Sequence, residues 1–257
     1  MLHIIKSYIQ FLWHSKNQHG VHSPFVFDLV TKCFYDKKPK QEYNVLKAYR
    51  NSLLQNKNTI EVTDFGAGSR VFKSNTRQIS KIALTAGISP KRAELLFRIT
   101  NYFQPRNILE IGTSLGLATS ALSQGNPNTT ITTLEGCPET SEVAQKQFRQ
   151  FVFSNIESEV TEFSSYLKNL PHSTFNFIYF DGNHSKQATL DYFELLLPTI
   201  TNDSVWIFDD IHWSADMEEA WRIIQDHPKV TVTIDTFQWG LVFFRSQQEK
   251  EHFVIRA

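Results

Sequence analysis

Three aspartates and a histidine stand where an α/β protein does its chemistry. FNFIYFDGNH places Asp181 and His184 just after an apolar, aromatic run, and SVWIFDD places Asp209 and Asp210 after another. Carboxylates crowded into one crevice repel unless they are protonated, hydrogen-bonded or neutralised by a cation. As hard oxygen donors they suit Mg2+ or Ca2+, and such a cation would lower the pKa of a bound hydroxyl. Without a metal, Asp181 would orient a ligand and Asp209 or Asp210 would cap the helix that follows. Histidine titrates near neutrality, so His184 could take a proton from a hydroxyl. Alternatively it is a surface histidine in front of a helix beginning at Ser185. His212 is a second candidate for base or ligand.

Two further stretches, TIEVTDFGAGSR at 59–70 and NILEIGTSLG at 107–116, each run a β-branched or apolar strand into a glycine turn. A cofactor loop needs a buried strand, a glycine turn opening a helix whose amides face the ligand, and an acid ending the next strand to hold ribose hydroxyls. The second stretch has all three. Ile108 to Ile111 is the strand, Gly112 to Gly116 the turn, and Leu117 onward the helix. Glu135, with Gly136 after it, closes the following strand TTITTLE. After Gly68 in the first stretch comes polar sequence, with no second buried strand ending in an acid. DFGAGS is then either a strand-end turn or a lid whose Gly66 and Gly68 permit close approach to the ligand.

The elements that must position these residues follow from periodicity. Ser23 and Pro24 start one helix and Ser89-Pro90 another, which runs to about Tyr102. Beyond it NILEIG, TTITTLEG, FNFIYFDG and SVWIFDD read as strands, separated by the helical stretches LATSALSQ, PETSEVAQKQFRQF and QATLDYFELLLPTI. A last helix, ADMEEAWRIIQDH, leads into VTVTIDTF and LVFFR, two strands joined by a short connection and therefore an antiparallel hairpin. Alternating strands and helices imply a mainly parallel sheet covered on both faces, with the strand C-termini lining the ligand crevice. There the carboxylates of Asp181, Asp209 and Asp210 should converge. Residues 1–77 are expected to be an N-terminal helical extension or lid that includes the DFGAGS loop, and 78–257 the cofactor-binding domain.

The turn Gly112-Thr113-Ser114-Leu115-Gly116 is spaced G-x-x-x-G, not G-x-G-x-x-G, so side chains stand where a pyrophosphate would press. With Glu110 in front, this E-x-G-x-x-x-G run resembles the first motif of class I S-adenosylmethionine-dependent methyltransferases. Over roughly residues 78–245 the chain is similar to their small-molecule O-methyltransferase group, which includes catechol O-methyltransferase. FDGNH with FDDIHW resembles a subgroup carrying aspartate-glycine-x-histidine after the fourth strand. The resemblance implies a doubly wound, mostly parallel seven-stranded sheet ending in an antiparallel hairpin. It also implies S-adenosyl-L-methionine as cofactor, with Glu110, Gly112, Thr113, Ser114 and Gly116 around its methionine part and Glu135 and Gly136 at its ribose. Metal-dependent relatives place acids where Asp181, Asp209 and Asp210 stand, and the catechol enzyme's relatives carry a lysine base near His184. Glu162 and Ser164 are two substitutes for the acid that meets adenine in many relatives.

The implied function is methyl transfer from S-adenosylmethionine to a hydroxyl of a small molecule, with Asp181 and His184 as catalytic residues. An adenosylmethionine-binding sensor and a small-molecule N-methyltransferase are the alternatives. Lys+Arg and Asp+Glu both number 26, so no basic field draws in nucleic acid. Cys33 and Cys137 lie far apart without metal-ligand spacing, which suits a reducing cytoplasm. MLHIIKSYIQFLW is broken by Lys6 and Gln10 and lacks a small-residue cleavage site, so it reads as an amphipathic helix covering the body rather than a signal or a membrane span. Docking on a membrane surface or partner is the other reading of its aromatic content. A homo-oligomer is compatible with everything above. Phe237, Trp213 and Trp239 line an acceptor pocket or simply pack, and His19 and His22 fit local hydrogen bonding at a helix start.

Overall fold

A computed structural model describes residues 2–63, 74–170 and 175–257. Helices α1 (Leu2–His14), α2 (Pro24–Leu29) and α3 (Glu42–Gln55) precede an antiparallel pair, β1 (Thr59–Glu61) and β2 (Thr76–Gln78). Then come α4 (Ile79–Thr85), α5 (Pro90–Phe103), β3 (Asn107–Ile111), α6 (Leu117–Gly125), β4 (Thr130–Glu135), α7 (Pro138–Gln150) and β5 (Ile156–Val160). The chain continues through α8 (Phe163–Lys168), β6 (Phe177–Phe180), α9 (Lys186–Leu196), β7 (Val205–Asp209) and α10 (Ala215–Asp226). It closes with β8 (Val232–Asp235), β9 (Trp239–Phe243) and β10 (Glu251–Val254).

Helix starts follow local chemistry. The Ser23, Ser89, Ser185 and Ser214 hydroxyls accept from the amides of Val26, Arg92, Ala188 and Met217, and Pro24 and Pro90 occupy first-turn positions where no amide donor is needed.

The chain folds as two compact units, Asp36–Phe163 and Met1–Tyr35 with Ser164–Ala257. In the first, β3, β4 and β5 run parallel, with Asn107 opposite Thr130 and Ile131 opposite Ile156. Ile108 to Ile111 are fully buried, as expected of a parallel strand covered on both faces, and Glu110 is the one polar side chain among the four. From α3, the buried Tyr49 reaches the glycine turn and donates its hydroxyl to the Leu115 carbonyl at 2.9 Å, its ring set among Phe148, Phe151 and Phe153.

In the second unit β6 and β7 are parallel, and β9 lies antiparallel between β7 and β8. Phe180 stacks on Phe208 at 4.0 Å, and Phe193 stands edge-on to Trp206 at 5.6 Å. Each such buried aromatic contributes about 2–3 kcal/mol by leaving water. The expected terminal hairpin is present as β8 and β9. Beyond the seven expected strands, β10 pairs parallel with β8, Glu251 opposite Val232. Its four residues EHFV bury only Phe253 fully, too short a pattern to read as a strand.

Helix α1 buries Ser7 and Phe11, and Tyr8 and Phe11 pack on Phe237 with ring centroids 4.8 and 5.5 Å away. The Lys16 amide then donates to the Val254 carbonyl at 2.8 Å, tying the end of this segment to β10. Among the described residues no helix is long and apolar enough to cross a membrane.

Candidate functional site

In the Asp36–Phe163 unit, β3 delivers the chain into a turn with left-handed backbone at Gly112 (φ 105°), Ser114 (φ 49°) and Gly116 (φ 75°). The amides of Gly112 and Thr113 both donate to the Leu134 carbonyl at 3.0 Å, and the Gly116 amide donates to the Thr113 carbonyl at 2.9 Å. Glycine at 116 is required twice over. The backbone is left-handed, and a Cβ there would lie 2.6 Å from the Tyr49 hydroxyl and 2.4 Å from a Phe148 ring carbon. A non-glycine residue held left-handed at Ser114 is the kind of local strain that collects at ligand sites.

Glu135 ends β4 and grips this turn. One carboxylate oxygen accepts the Ser114 amide at 2.8 Å and the other the Cys137 amide at 2.9 Å, just ahead of α7. The side chain is half-buried, with Gly136 beside it equally accessible. Thr161 follows β5 and donates its amide to the Glu135 carbonyl at 2.9 Å, which brings the exposed Glu162 next in the chain.

Glu110 sits differently from the ligand-facing role implied for it. It is fully buried, and one carboxyl oxygen accepts the hydroxyls of Thr119 on α6 and Thr133 on β4 at 2.5 and 2.6 Å. Its other oxygen has no hydrogen-bond partner among the described residues. Burial pushes its pKa up to about 8 against the lowering effect of the two threonines, with the charge of Glu135 adding to the rise. Near neutrality Glu110 is therefore mostly a neutral acid bracing strand to helix. Thr119, Thr133 and Tyr49 escaped sequence reading, because their signal, a hydroxyl inside an otherwise apolar element, has meaning only once a partner is known.

In the other unit Asp181 follows β6, and Asn183 two residues later is left-handed (φ 51°). That turn brings His184 Nε2 to 3.8 Å from Asp181 Oδ1, both side chains remaining partly accessible. Ser185 caps α9, so His184 stands immediately outside the helix. Asp209 is buried at the end of β7. Its two oxygens accept the Tyr179 hydroxyl at 3.2 Å and the Asp210 amide at 2.7 Å. Asp210 is left-handed (φ 53°), and its amide also donates to the Gln238 carbonyl at 2.8 Å.

Two expectations change here. Neither Asp209 nor Asp210 caps α10, because Ser214 does. Among the described residues no three His, Cys, Asp or Glu side chains gather as metal ligands, so the expected convergence of Asp181, Asp209 and Asp210 on a cation is not seen. Asp209 itself carries one hydrogen bond on each oxygen, from the Tyr179 hydroxyl and the Asp210 amide.

His212 is committed elsewhere. Its Nδ1 meets Glu218 at 2.7 Å and its Nε2 meets Asp235 at 2.9 Å, while its ring stacks on Phe237 at 5.1 Å. Burial acts to lower its pKa, and the bonds and charges of Asp235 and Glu218 outweigh that and raise it. With both nitrogens engaged by carboxylates it is a structural ion pair, not a free base. Trp239 is buried edge-on to Tyr179, and Phe237 supports α1, so both pack. His19 and His22 flank a short turn in which the Asn17 side chain accepts the His19 amide, the local bonding expected there. The 64–70 segment with Gly66 and Gly68 lies outside the described residues.

Parallel strands with a G-x-x-x-G turn clasped by an acid from the next strand in one unit, and parallel strands with an antiparallel strand in the other, are the elements of the class I methyltransferase fold. Residues 109–211 match the family model described as a methyltransferase domain. Solved structures share the architecture. The SAH-bound methyltransferase PaMTH1 of Podospora anserina is 12% identical with a TM-score of 0.61, covering 88% of this chain and 97% of its own. The O-methyltransferase TomG of Streptomyces achromogenes, in complex with SAM, is 15% identical with a TM-score of 0.57, covering 83% and 93%. An O-methyltransferase from Bacillus cereus in complex with SAH is 17% identical with a TM-score of 0.55, covering 81% and 92%. No curated protein sequence matches.

Proposed function

We propose that this chain is an S-adenosylmethionine-dependent methyltransferase acting on a hydroxyl of a small molecule. The observation that carries the reading is the Glu135 carboxylate, held between the Ser114 and Cys137 amides where it closes the turn from Gly112 to Gly116. An acid ending the second strand beside the glycine turn is the residue type that binds ribose hydroxyls in this architecture. The left-handed glycine turn opens directly into α6, and the adenosylmethionine and adenosylhomocysteine complexes of the structural neighbours agree with that ligand.

When bound, S-adenosylmethionine supplies an electrophilic methyl group on a sulfonium. His184 accepts the acceptor's hydroxyl proton, and Asp181, 3.8 Å away, stabilises the imidazolium that results. Asp209, locked by Tyr179 and the Asp210 amide, holds the turn after β7 in shape. Positioning is the protein's main contribution to an in-line transfer of this kind.

Calorimetry with S-adenosylmethionine, followed by an assay for S-adenosylhomocysteine release over panels of hydroxyl and amine compounds, tests the reading. Binding with turnover on hydroxyls supports it, and turnover on amines alone reassigns the acceptor. Binding with no turnover on either panel favours a sensor. Tight binding of NADH in place of adenosylmethionine overturns the cofactor assignment.

A further inference from the structure

Helix α1 is attached by one narrow face and exposes an apolar one. Ser7 and Phe11 are buried against the unit, while Trp13 is 85% exposed, Ile9 59%, Ile5 53%, Tyr8 46% and Leu12 43%. At 100° per residue these five positions fall on one arc of about 140°. They form a stripe, not scattered surface residues, and a contiguous apolar surface on a folded protein marks an interaction site.

Charge decides what the stripe meets. The chain as a whole is balanced, yet no Asp or Glu precedes Asp28, and this segment carries Lys6, Lys16, His3, His14, His19 and His22. Both lysines are exposed. The carboxylate that α1 does approach, Glu218, lies 3.6 Å from His3, which is on the side of the helix opposite the stripe. The outward face is therefore apolar with a cationic flank. A two-fold contact between copies would set Lys6 and its neighbours against themselves, whereas an anionic lipid surface offers the opposite charge together with an apolar interior. Trp13, the most exposed of the five, is the residue type that settles at the headgroup level of bilayers.

We propose that α1 seats this protein on an anionic lipid surface. Ile5, Ile9, Leu12 and Trp13 enter the boundary between headgroups and acyl chains while Lys6 and Lys16 meet lipid phosphates. The helix lies in the interface plane and stays docked on its own unit through Phe11 and Tyr8 against Phe237. The inference is independent of the reaction proposed above.

The test is sedimentation of the full chain with large unilamellar vesicles of phosphatidylcholine alone or with phosphatidylglycerol as minor component. Partition at least about tenfold greater onto the anionic vesicles is expected, weakening as salt is added. The double variant Ile9→Ser with Trp13→Ser should return partition to the phosphatidylcholine level. Both positions face solvent, so its circular dichroism and melting should match the parent. Lys6→Gln should lower anionic partition by about fivefold. Equal partition onto both vesicle types overturns the proposal. So does a lipid-free dimer, seen by light scattering, that the double variant abolishes, since a second copy would then cover the stripe.

Discussion

The Glu135 carboxylate accepts the Ser114 amide at 2.8 Å, joining the end of β4 to the strained centre of the glycine turn after β3. A single acid thereby fixes the turn's shape and presents itself beside it. Glu135→Gln replaces one acceptor oxygen with an NH2 group that cannot receive either backbone amide. Leaving such a donor without its partner costs about 1–3 kcal/mol, so S-adenosylmethionine affinity should fall at least about tenfold by calorimetry. Unchanged affinity would remove Glu135 from the cofactor site.

Gly116→Ala should be severe for so small a change. The new methyl group enters a left-handed backbone position and meets the Tyr49 hydroxyl and the Phe148 ring. Strain and overpacking together should cost on the order of 2–4 kcal/mol, seen as a lowered Tm with weakened cofactor binding. A melting temperature within error of the parent would mean that α3 and α7 do not close on the turn as described.

Glu110 supplies a pH signature. Its folded-state pKa is raised to about 8 from about 4.5. Its contribution is therefore fully present below about pH 4.5, is lost as pH rises through about 8, and is constant above that. Glu110→Gln mimics the neutral acid. It should flatten the decline of stability over that window and be more stable than the parent at pH 9, by on the order of a few kcal/mol. Parallel stability profiles for parent and variant across the window would contradict a buried neutral acid.

His212 predicts a second pH effect of the same sign. Its raised pKa means that the ion-paired form stabilises the fold fully below about pH 6.5 and fades as pH climbs through the folded-state value. His212→Ala leaves Asp235 and Glu218 without their shared cation and should cost about 2–3 kcal/mol at pH 6. Less should be lost at pH 9, as chemical denaturation at the two pH values would reveal. Equal losses would show that ring packing on Phe237, not charge, is what His212 contributes.

His184→Ala should leave S-adenosylmethionine binding intact and lower kcat by about a hundredfold or more, the usual worth of a positioned base. Asp181→Asn should lower kcat less, since the imidazole itself remains. EDTA should leave turnover of the parent unchanged, because among the described residues no carboxylates assemble as a ligand set. A hundredfold fall with EDTA, restored by Mg2+, would return Asp181, Asp209 and Asp210 to a metal role.

Much of this molecule was readable residue by residue. Ser-Pro pairs set helix starts, and largely buried runs with an acid in or just after them set β3, β4, β6 and β7, because helix caps and burial on both faces are enforced within a few residues of sequence. The succession of β3, the Gly112 turn, α6 and a β4 ending in Glu135 is legible from spacing in the same way. What spacing could not convey is where a side chain turns once its backbone is placed. Glu110 and Glu135 both end or nearly end strands, yet one is buried against Thr119 and Thr133 and the other is gripped by two amides in reach of solvent. Asp209 spends its oxygens on Tyr179 and the Asp210 amide, and His212 spends its nitrogens on Glu218 and Asp235, partners up to 30 positions away in sequence. Hydrogen bonds are short and directional, so the role of an ionisable group is set by what lies within about 3 Å of it, and long-range packing alone decides that neighbourhood.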